Sequence, residues 1–314
     1  MVGASPLAQQ RPDWPAHLVD DWDDIRAFAE VARLGTFRGA ATRMNTSATT
    51  VARRVKALEE RLGVKLVRRL AHGLKLTQAG ERAANRANEI DLMIRRLHAE
   101  IGNEAGPQGH VRLAVSDGFG CYWLPEKVPE FSKQYPHVCL EIFCTNENPS
   151  VVNMEADLAL IWQKPAAAEL AVIFEMAVPF SLFASREYIR RHGAPKTRQD
   201  LYQHALLNRY TYPRDADWAD WWSVVESHPR VTAITNSSMS LGYLTKFHAG
   251  ITLHPTTVAQ REPEFVRIDI EGFSPRQVYW LVCHREAKNI PRVRAVINFL
   301  RGLPIFTVRP REAE

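Results

Sequence analysis

Residues 36–63 read TFRGAATRMNTSATTVARRVKALEERLG, and the spacing of apolar side chains through this stretch and its flanks decides the fold of the N-terminal part. Ile25, Phe28, Val31 and Ala32 recur at three and four residues, so they line one face of a first helix. Phe37, Ala40, Ala41 and Met44 do the same over a short second helix, and Val51, Val55, Leu58 and Leu62 over a third. Asn45-Thr46-Ser47 between them is suited to end one helix and start the next, with Ser47 or Thr46 as N-cap. A short turn between two helices, the first carrying the small pair Ala40-Ala41, is the helix-turn-helix pattern.

What the third helix leaves outside matters most for function. With Val51, Val55 and Leu58 inward, Thr49, Thr50, Arg53, Arg54 and Lys56 project away, behind the helix-start residues Thr36 and Ser47. Such a face suits a major groove, where Arg reads guanine and Thr meets a base edge or a thymine methyl. Residues 26–75 hold twelve Lys or Arg against three acids, whereas the whole chain carries only +5, so the positive charge is concentrated here. Double-stranded DNA is the partner that this face predicts.

After the third helix, Val64-Lys65-Leu66-Val67 and Leu74-Lys75-Leu76 alternate like two short strands of a wing, joined through Arg68 to Gly73. Arg68, Arg69 and His72 at its tip are candidates for phosphate contacts, Arg68 equally as a plain solvated strand residue. Thr77 then starts a long helix with Ala79, Ala83, Ala87, Ile90, Ile94, Leu97 and Ile101 along one stripe, which packs on a partner helix or on its own domain. EAGPQG at 104–109 reads as a hinge by its Gly and Pro content.

From residue 110 the pattern changes to short β-rich runs separated by helical segments: VRLAV, CLEIFC, ADLALIW, FSLFAS, ITLHP and VYWLVC. Strands alternating with helices predict an α/β domain with a largely parallel sheet. In open α/β folds ligands gather beyond the C-terminal ends of strands and at helix N-termini. That rule nominates Ser116 and the turn 117–120 with Phe119, then Thr145 and Asn146 after CLEIFC, and Trp162 after ADLALI. Ser116 can equally be a plain helix cap and Trp162 core, and Trp218, Trp221 and Trp222 read as core of a second lobe.

Phe28 through Gly80 resembles the N-terminal domain of the LysR-type transcriptional regulators. The resemblance rests on the Gly35-Thr36-Phe37 turn, Ala40-Ala41, Ser47, Val51, Arg53, Leu58-Glu59, Leu62-Gly63, Leu66, Arg69, Leu76-Thr77 and Ala79-Gly80. The chain departs from that pattern at Ala48, Thr49, Ala52 and Val67, so Thr49, Thr50, Arg53 and Arg54 are left to do the reading. The C-terminal part resembles the family's effector domain at Leu124-Pro125, FSKQYPHVCLEI, DLAL at 157–160, SREYIRRHGAPKTRQDL, NSS at 236–238, HAGITLHP and RVRAVINFLR.

The resemblance implies an α/β protein with an N-terminal winged helix-turn-helix (21–77), a linker and dimerisation helix (78–104), a hinge (105–109) and a two-lobed effector domain of the periplasmic-binding-protein type (110–304). Lobe I would be 110–163 and 269–304, and lobe II 164–268, between an N-terminal arm (1–20) and a tail (305–314). Matching family positions add Arg209, Tyr210, Ser237, Ser238 and His254 to the effector candidates, Ser237 equally as a cap and His254 as a satisfied buried histidine. Implied partners are promoter DNA, a small-molecule effector, a second copy or a tetramer, and RNA polymerase for an activator. Helix N-termini and Arg209 favour an anionic effector.

Other classes leave poor traces. Gly118-Phe119-Gly120 starts like a dinucleotide fingerprint but lacks the third glycine, and there is no P-loop, no G-x-S-x-G and no paired His at metal-ligand spacing. No enzyme activity, cofactor or metal is expected. The four cysteines form no C-x-x-C pair, which argues against a zinc ribbon or disulfide framework, and Cys121 is the candidate reactive thiol. The first twenty residues hold three prolines and no apolar core of a signal peptide, so a cytoplasmic protein without a membrane anchor is expected. A two-lobed solute-binding protein is the alternative; it predicts an export signal and no basic helix-turn-helix.

Overall fold

The computed structural model describes residues 22–70, 73–101, 106–147, 151, 156–271, 273 and 275–303. The arm, His72, the start of the hinge and the tail lie outside the described residues. The described residues divide into two compact units, 22–98 and 99–303.

In the first unit, α1 (Trp22–Leu34), α2 (Phe37–Arg43) and α3 (Ala48–Leu62) are followed by a two-stranded ribbon, β1 (Val67–Leu70) and β2 (Gly73–Leu76), and by α4 (Gln78–Ile101). Thr36 caps α2 by accepting the Gly39 N–H, and Ser47 caps α3 by accepting that of Thr50. Gly63, at φ +66, ends α3 in the left-handed region, where a side chain is disfavoured. Phe28, Val31, Ala40, Ala41, Val51, Val55 and Leu58 form the core, as the spacing predicts, with Ala27, Leu66 and Ala84 added. Leu62 is 45% exposed; the chain turns away at Gly63, and Leu66 fills the core instead.

The ribbon begins three residues later than the alternation suggests, because Glu59 captures the chain first. Its buried carboxylate accepts from Lys65 Nζ at 2.6 Å, Leu66 N at 2.8 Å and Val67 N at 3.2 Å. Burial alone would raise the Glu59 pKa, but those donors outweigh it and hold the group below the usual carboxylate value of 4.5. A depressed folded-state pKa means that the contribution is complete above the unfolded value and is lost as the pH falls through the folded one. Acid unfolding of this domain followed by circular dichroism should therefore set in at higher pH in wild type than in Glu59→Gln, once each is normalised to its neutral-pH stability. Identical acid profiles would remove Glu59 as the wing's anchor.

The second unit is built on one seven-stranded curled sheet. It contains β3 (Gly109–Val115), α5 (Asp117–Tyr122), α6 (Val128–Gln134), β4 (Val138–Cys144), β5 (Leu158–Ile161), β6 (Leu170–Ser185), α7 (Arg186–His192), α8 (Arg198–Leu201), β7 (Leu206–Arg209), α9 (Ala219–Ser227), β8 (Val231–Thr235), α10 (Ser238–Lys246), β9 (Thr252–Pro255), β10 (Phe265–Ile268), β11 (Arg276–His284) and α11 (Pro291–Arg301). β3 runs parallel to β4 and β5, but β11 is antiparallel to β5 and β6, and β6 is antiparallel to β9 and β10. The sheet is thus mixed rather than largely parallel. The reason is the sixteen-residue strand β6, which serves both lobes: Leu170–Pro179 pair with β11, and Phe180–Ser185 with β9 and β10.

Pro179 sits at the change of partner, where the ladder loses no N–H that it needs. The outward crossing therefore lies at Pro179–Phe180 rather than near residues 163–169, and residues 170–179 belong to the sheet of lobe I. β7 and β8 form a separate parallel pair in lobe II. Around it pack Trp218, Trp221, Leu206, Leu207, Ile251 and Leu253, all fully buried, which makes the tryptophans core. Among the described residues no helix is long and apolar enough to cross a membrane.

Candidate nucleic-acid interface and effector cavity

On α3, the core face of Val51, Val55 and Leu58 leaves Thr49, Arg53 and Lys56 exposed. Among the described residues no acid pairs with Arg53, while Lys56 meets Glu60 one turn on at 3.3 Å. Thr50 is half-buried, its hydroxyl 2.8 Å from the capping Ser47 hydroxyl. Arg54 departs from the sequence reading: its guanidinium turns to Asp23 on α1, at 2.9 Å. An acid in sequence contact with nothing on α3 could not have been assigned to it from periodicity.

The ribbon adds charge. Arg68 and Arg69 lie within β1, not at the tip, and Arg68 stands directly opposite Lys75 of β2. Both are exposed, and like charges directly opposite are destabilising on a ribbon. Arg69 lies over the Phe37 ring at 5.9 Å. Lys75, which sequence reading passed over, is brought in by strand register alone. Thr36 and Ser47, both exposed, stand at the N-termini of α2 and α3, where unsatisfied N–H groups favour phosphate.

In the second unit a cavity of ≈ 60 Å³ lies between the lobes. Five of the ten effector candidates line it: Ser116, Phe119, Arg209, Ser238 and His254. The other five do not. Tyr210 is 60% exposed, because it follows Arg209 on the opposite face of the strand end. The Thr145 hydroxyl accepts the Glu147 N–H in its own turn; Asn146 shares that turn, and Trp162 is half-buried outside the cavity. Ser237 caps α10 behind the wall. The wall is completed by residues that the sequence reading missed, among them Tyr122, Met176, Phe180, Tyr212 and Tyr279.

Most polar groups in the wall are engaged. Ser116 caps α5, accepting the Phe119 N–H. The Tyr212 hydroxyl donates to the Leu253 carbonyl, and its ring stacks on Trp218 at 4.7 Å between centroids. His254 is buried with Nε2 3.0 Å from the Thr245 hydroxyl; burial and then the Arg209 charge push its pKa down to about 3, so it is neutral at physiological pH. Arg209 is only 8% exposed and reaches Ser238 Oγ through Nη1. Its Nε is buried without a hydrogen-bond partner.

Asp117, in the turn 117–120 that the strand-end rule nominated, crosses from lobe I to the start of α10. Its carboxylate accepts from Ser237 Oγ at 2.6 Å, Ser238 N at 3.2 Å and Met239 N at 3.3 Å. Burial opposes its ionisation, but those donors prevail and hold its pKa below the usual value. Gly118 permits the approach, since a Cβ there would stand 2.9 Å from that of Ser238. A second bridge joins Arg261 to Glu126 at 2.6 Å. Cys121, Cys139 and Cys144 are exposed, and Cys283 is buried.

Residues 22–81 match the family model of the bacterial regulatory helix-turn-helix protein, lysR family, and residues 104–303 that of the LysR substrate binding domain. An HTH-type transcriptional regulator of Xanthomonas campestris pv. campestris is 27% identical over 293 residues, covering 90% of this chain and 85% of that protein. The HTH-type transcriptional regulator DmlR of Escherichia coli is 27% identical, covering 89% and 93%. Among solved structures, a full-length OxyR variant from Pseudomonas aeruginosa superposes with a TM-score of 0.67 at 18% identity, covering 94% of this chain and 99% of that one. Full-length CbnR in complex with its target DNA superposes at 0.54 and 20% identity, covering 90% and 99%. These structures share the fold. The basic helix-turn-helix excludes the solute-binding alternative, and the two matched domains together make this chain a member of the LysR-type transcriptional regulators, DNA-binding regulators with an effector-binding domain.

Proposed function

We propose that this regulator reads an interrupted inverted repeat in promoter DNA through Thr49, Thr50 and Arg53 of α3. Thr36, Ser47, Lys56, Arg69 and the Arg68–Lys75 pair would hold the adjoining phosphates. The observation that carries this reading is the exposed Thr49–Arg53 edge, one turn apart on the helix whose other face is the domain core. Arg54 serves α1 through Asp23 and contributes little to base reading. Footprinting on the DNA upstream of the protein's own gene tests it: a protected interrupted repeat is expected, and protection of unrelated DNA to the same extent would refute sequence reading.

The regulator acts as a dimer or a dimer of dimers joined through α4. Ala84 and Ala87 on the first half of this helix are buried, whereas Ile90, Met93 and Leu97 further along are 37%, 61% and 53% exposed. An apolar edge on a long helix is what a second copy would cover. Leu97→Glu is expected to shift the sedimentation equilibrium toward monomer by at least about tenfold in dissociation constant, since a carboxylate would enter an apolar seam. An unchanged association state would place the dimer elsewhere.

A small molecule in the cavity changes lobe closure and thereby the spacing of the DNA readers. It can do so only by the difference in its affinity for the two arrangements. A ligand proven by calorimetry that leaves the footprint unchanged would sink this mechanism. RNA polymerase is the further partner if the regulator activates.

A further inference from the structure

We propose that Asp117 is a tethered carboxylate that fills this chain's own anion site at the start of α10, so that the adjoining cavity takes compact, neutral, largely apolar molecules and turns anions away. The inference rests on the reading of that cavity as the effector site and narrows the class of effector.

The donors at the start of α10 are all engaged. Ser237 Oγ, Ser238 N and Met239 N end on Asp117, Ser240 N ends on Ser237 Oγ, and Leu241 N on the Ser237 carbonyl. An incoming carboxylate would find none of the N–H groups that a helix start normally offers. Glycine at position 118 is what lets the Asp117 backbone come this close, since any Cβ there would collide with Ser238 at 2.9 Å.

The charges of Asp117 and Arg209 offset each other, although the buried Arg209 Nε keeps no hydrogen-bond partner. Among the described residues no carboxylate forms an ion pair with the buried Arg209. Its guanidinium instead donates to the hydroxyl of Ser238, the residue whose backbone N–H donates to Asp117. One positive and one negative group thus share a serine across the lobes, and His254 beside them is neutral. A second anion would meet Asp117 in a site of low dielectric, where like charges repel strongly.

What remains for a ligand is mainly apolar wall, Phe119, Leu160, Met176, Val178, Phe180 and Leu241, beside the hydroxyls of Tyr122, Thr257 and Tyr279. At ≈ 60 Å³ the cavity is smaller than the roughly 150 Å³ that holds benzene, so without lobe movement it fits only molecules smaller than benzene.

The test is thermal unfolding of the full chain at constant ionic strength, with sodium chloride replaced by sodium acetate or propionate, or with added acetamide or propionamide. Ligands are taken up to roughly 100 mM, because stabilisation follows RT ln(1 + [L]/Kd). In wild type the carboxylates should act no differently from chloride, and propionamide should raise the midpoint more than propionate. Asp117→Ala should melt lower and be restored, saturably, by acetate or propionate, at a half-saturating concentration at least about tenfold below any effect on wild type. If the alanine variant does not fold, Asp117→Ser serves, whose shorter side chain leaves room at the start of α10, gaining carboxylate binding by calorimetry.

A folded Asp117→Ala without anion rescue overturns the proposal, as does a wild type stabilised by carboxylates at least as well as by the amides. The two readings fail separately. Rescue of Asp117→Ala together with a DNA footprint that no small molecule shifts keeps the tethered anion and removes the effector cavity. Absence of rescue with a carboxylate-dependent footprint does the reverse.

Discussion

Trp218→Ala should destabilise the effector-binding domain by about 4 kcal/mol, the usual cost of deleting a fully buried large aromatic. Trp218 is 0% exposed, packs edge-on to Phe180 at 5.1 Å between centroids and stacks on Tyr212 at 4.7 Å. Its indole N–H donates to the Arg276 carbonyl at 2.8 Å, so truncation also strips a part-buried acceptor of its partner. Phe180 and Tyr212 form part of the cavity wall, so the void would open behind the site. Urea unfolding followed by circular dichroism checks the value, and a loss under about 1 kcal/mol would contradict this packing.

Gly80→Ala should cost about 3 kcal/mol in the DNA-binding domain, at the upper end of ordinary overpacking. A Cβ on Gly80 would stand 2.0 Å from the Leu66 carbonyl oxygen and 3.0 Å from its carbon, both backbone atoms. That carbonyl cannot move freely: it accepts the Thr77 N–H at 3.0 Å, and Leu66 N is held by Glu59 at 2.8 Å. The first turn of α4 would have to lift off the wing, taking Ala84 out of the core. Gly35 and Gly63 make the contrast, because a Cβ there meets nothing within 4 Å and costs only the strain of positive φ, about 1 kcal/mol. Thermal melts of the variants should rank in that order; a Gly80→Ala midpoint equal to wild type would mean that α4 does not sit on Leu66.

The helix-turn-helix was legible because its information is local. Three apolar series and two capping residues, Thr36 and Ser47, specify helices before any tertiary contact is known. All six β-rich runs singled out from the sequence contain strand, yet the first ten residues of β6 escaped, since Glu175 and Pro179 interrupt the apolar pattern and the strand is defined by pairing with β11. Ser116 was legible because it sits at a strand end, whereas Arg209, Ser238 and His254 came from the family resemblance. The site was not legible where the role comes from a distant partner. Arg54 is redirected by Asp23, thirty-one positions earlier, and Asp117 meets Ser238 from 121 positions away. Tyr210 entered by family position, although strand alternation from Arg209 turns it outward, and Tyr212 on the cavity wall went unread.

On the proposed reading, α3 reads sequence through Arg53 while the basic ribbon supplies affinity. The measurement that tests it most directly is binding of wild type and Arg53→Ala to the protected upstream site and to unrelated DNA across a salt titration. Wild-type affinity should fall ~10³ to 10⁵ between about 50 and 200 mM salt, as for six to ten phosphate contacts, and remain strongest on its own site. Arg53→Ala should lose about 1–3 kcal/mol on that site and little on unrelated DNA, narrowing the preference roughly tenfold or more. A preference that is unchanged in Arg53→Ala, or absent in wild type, would contradict the account.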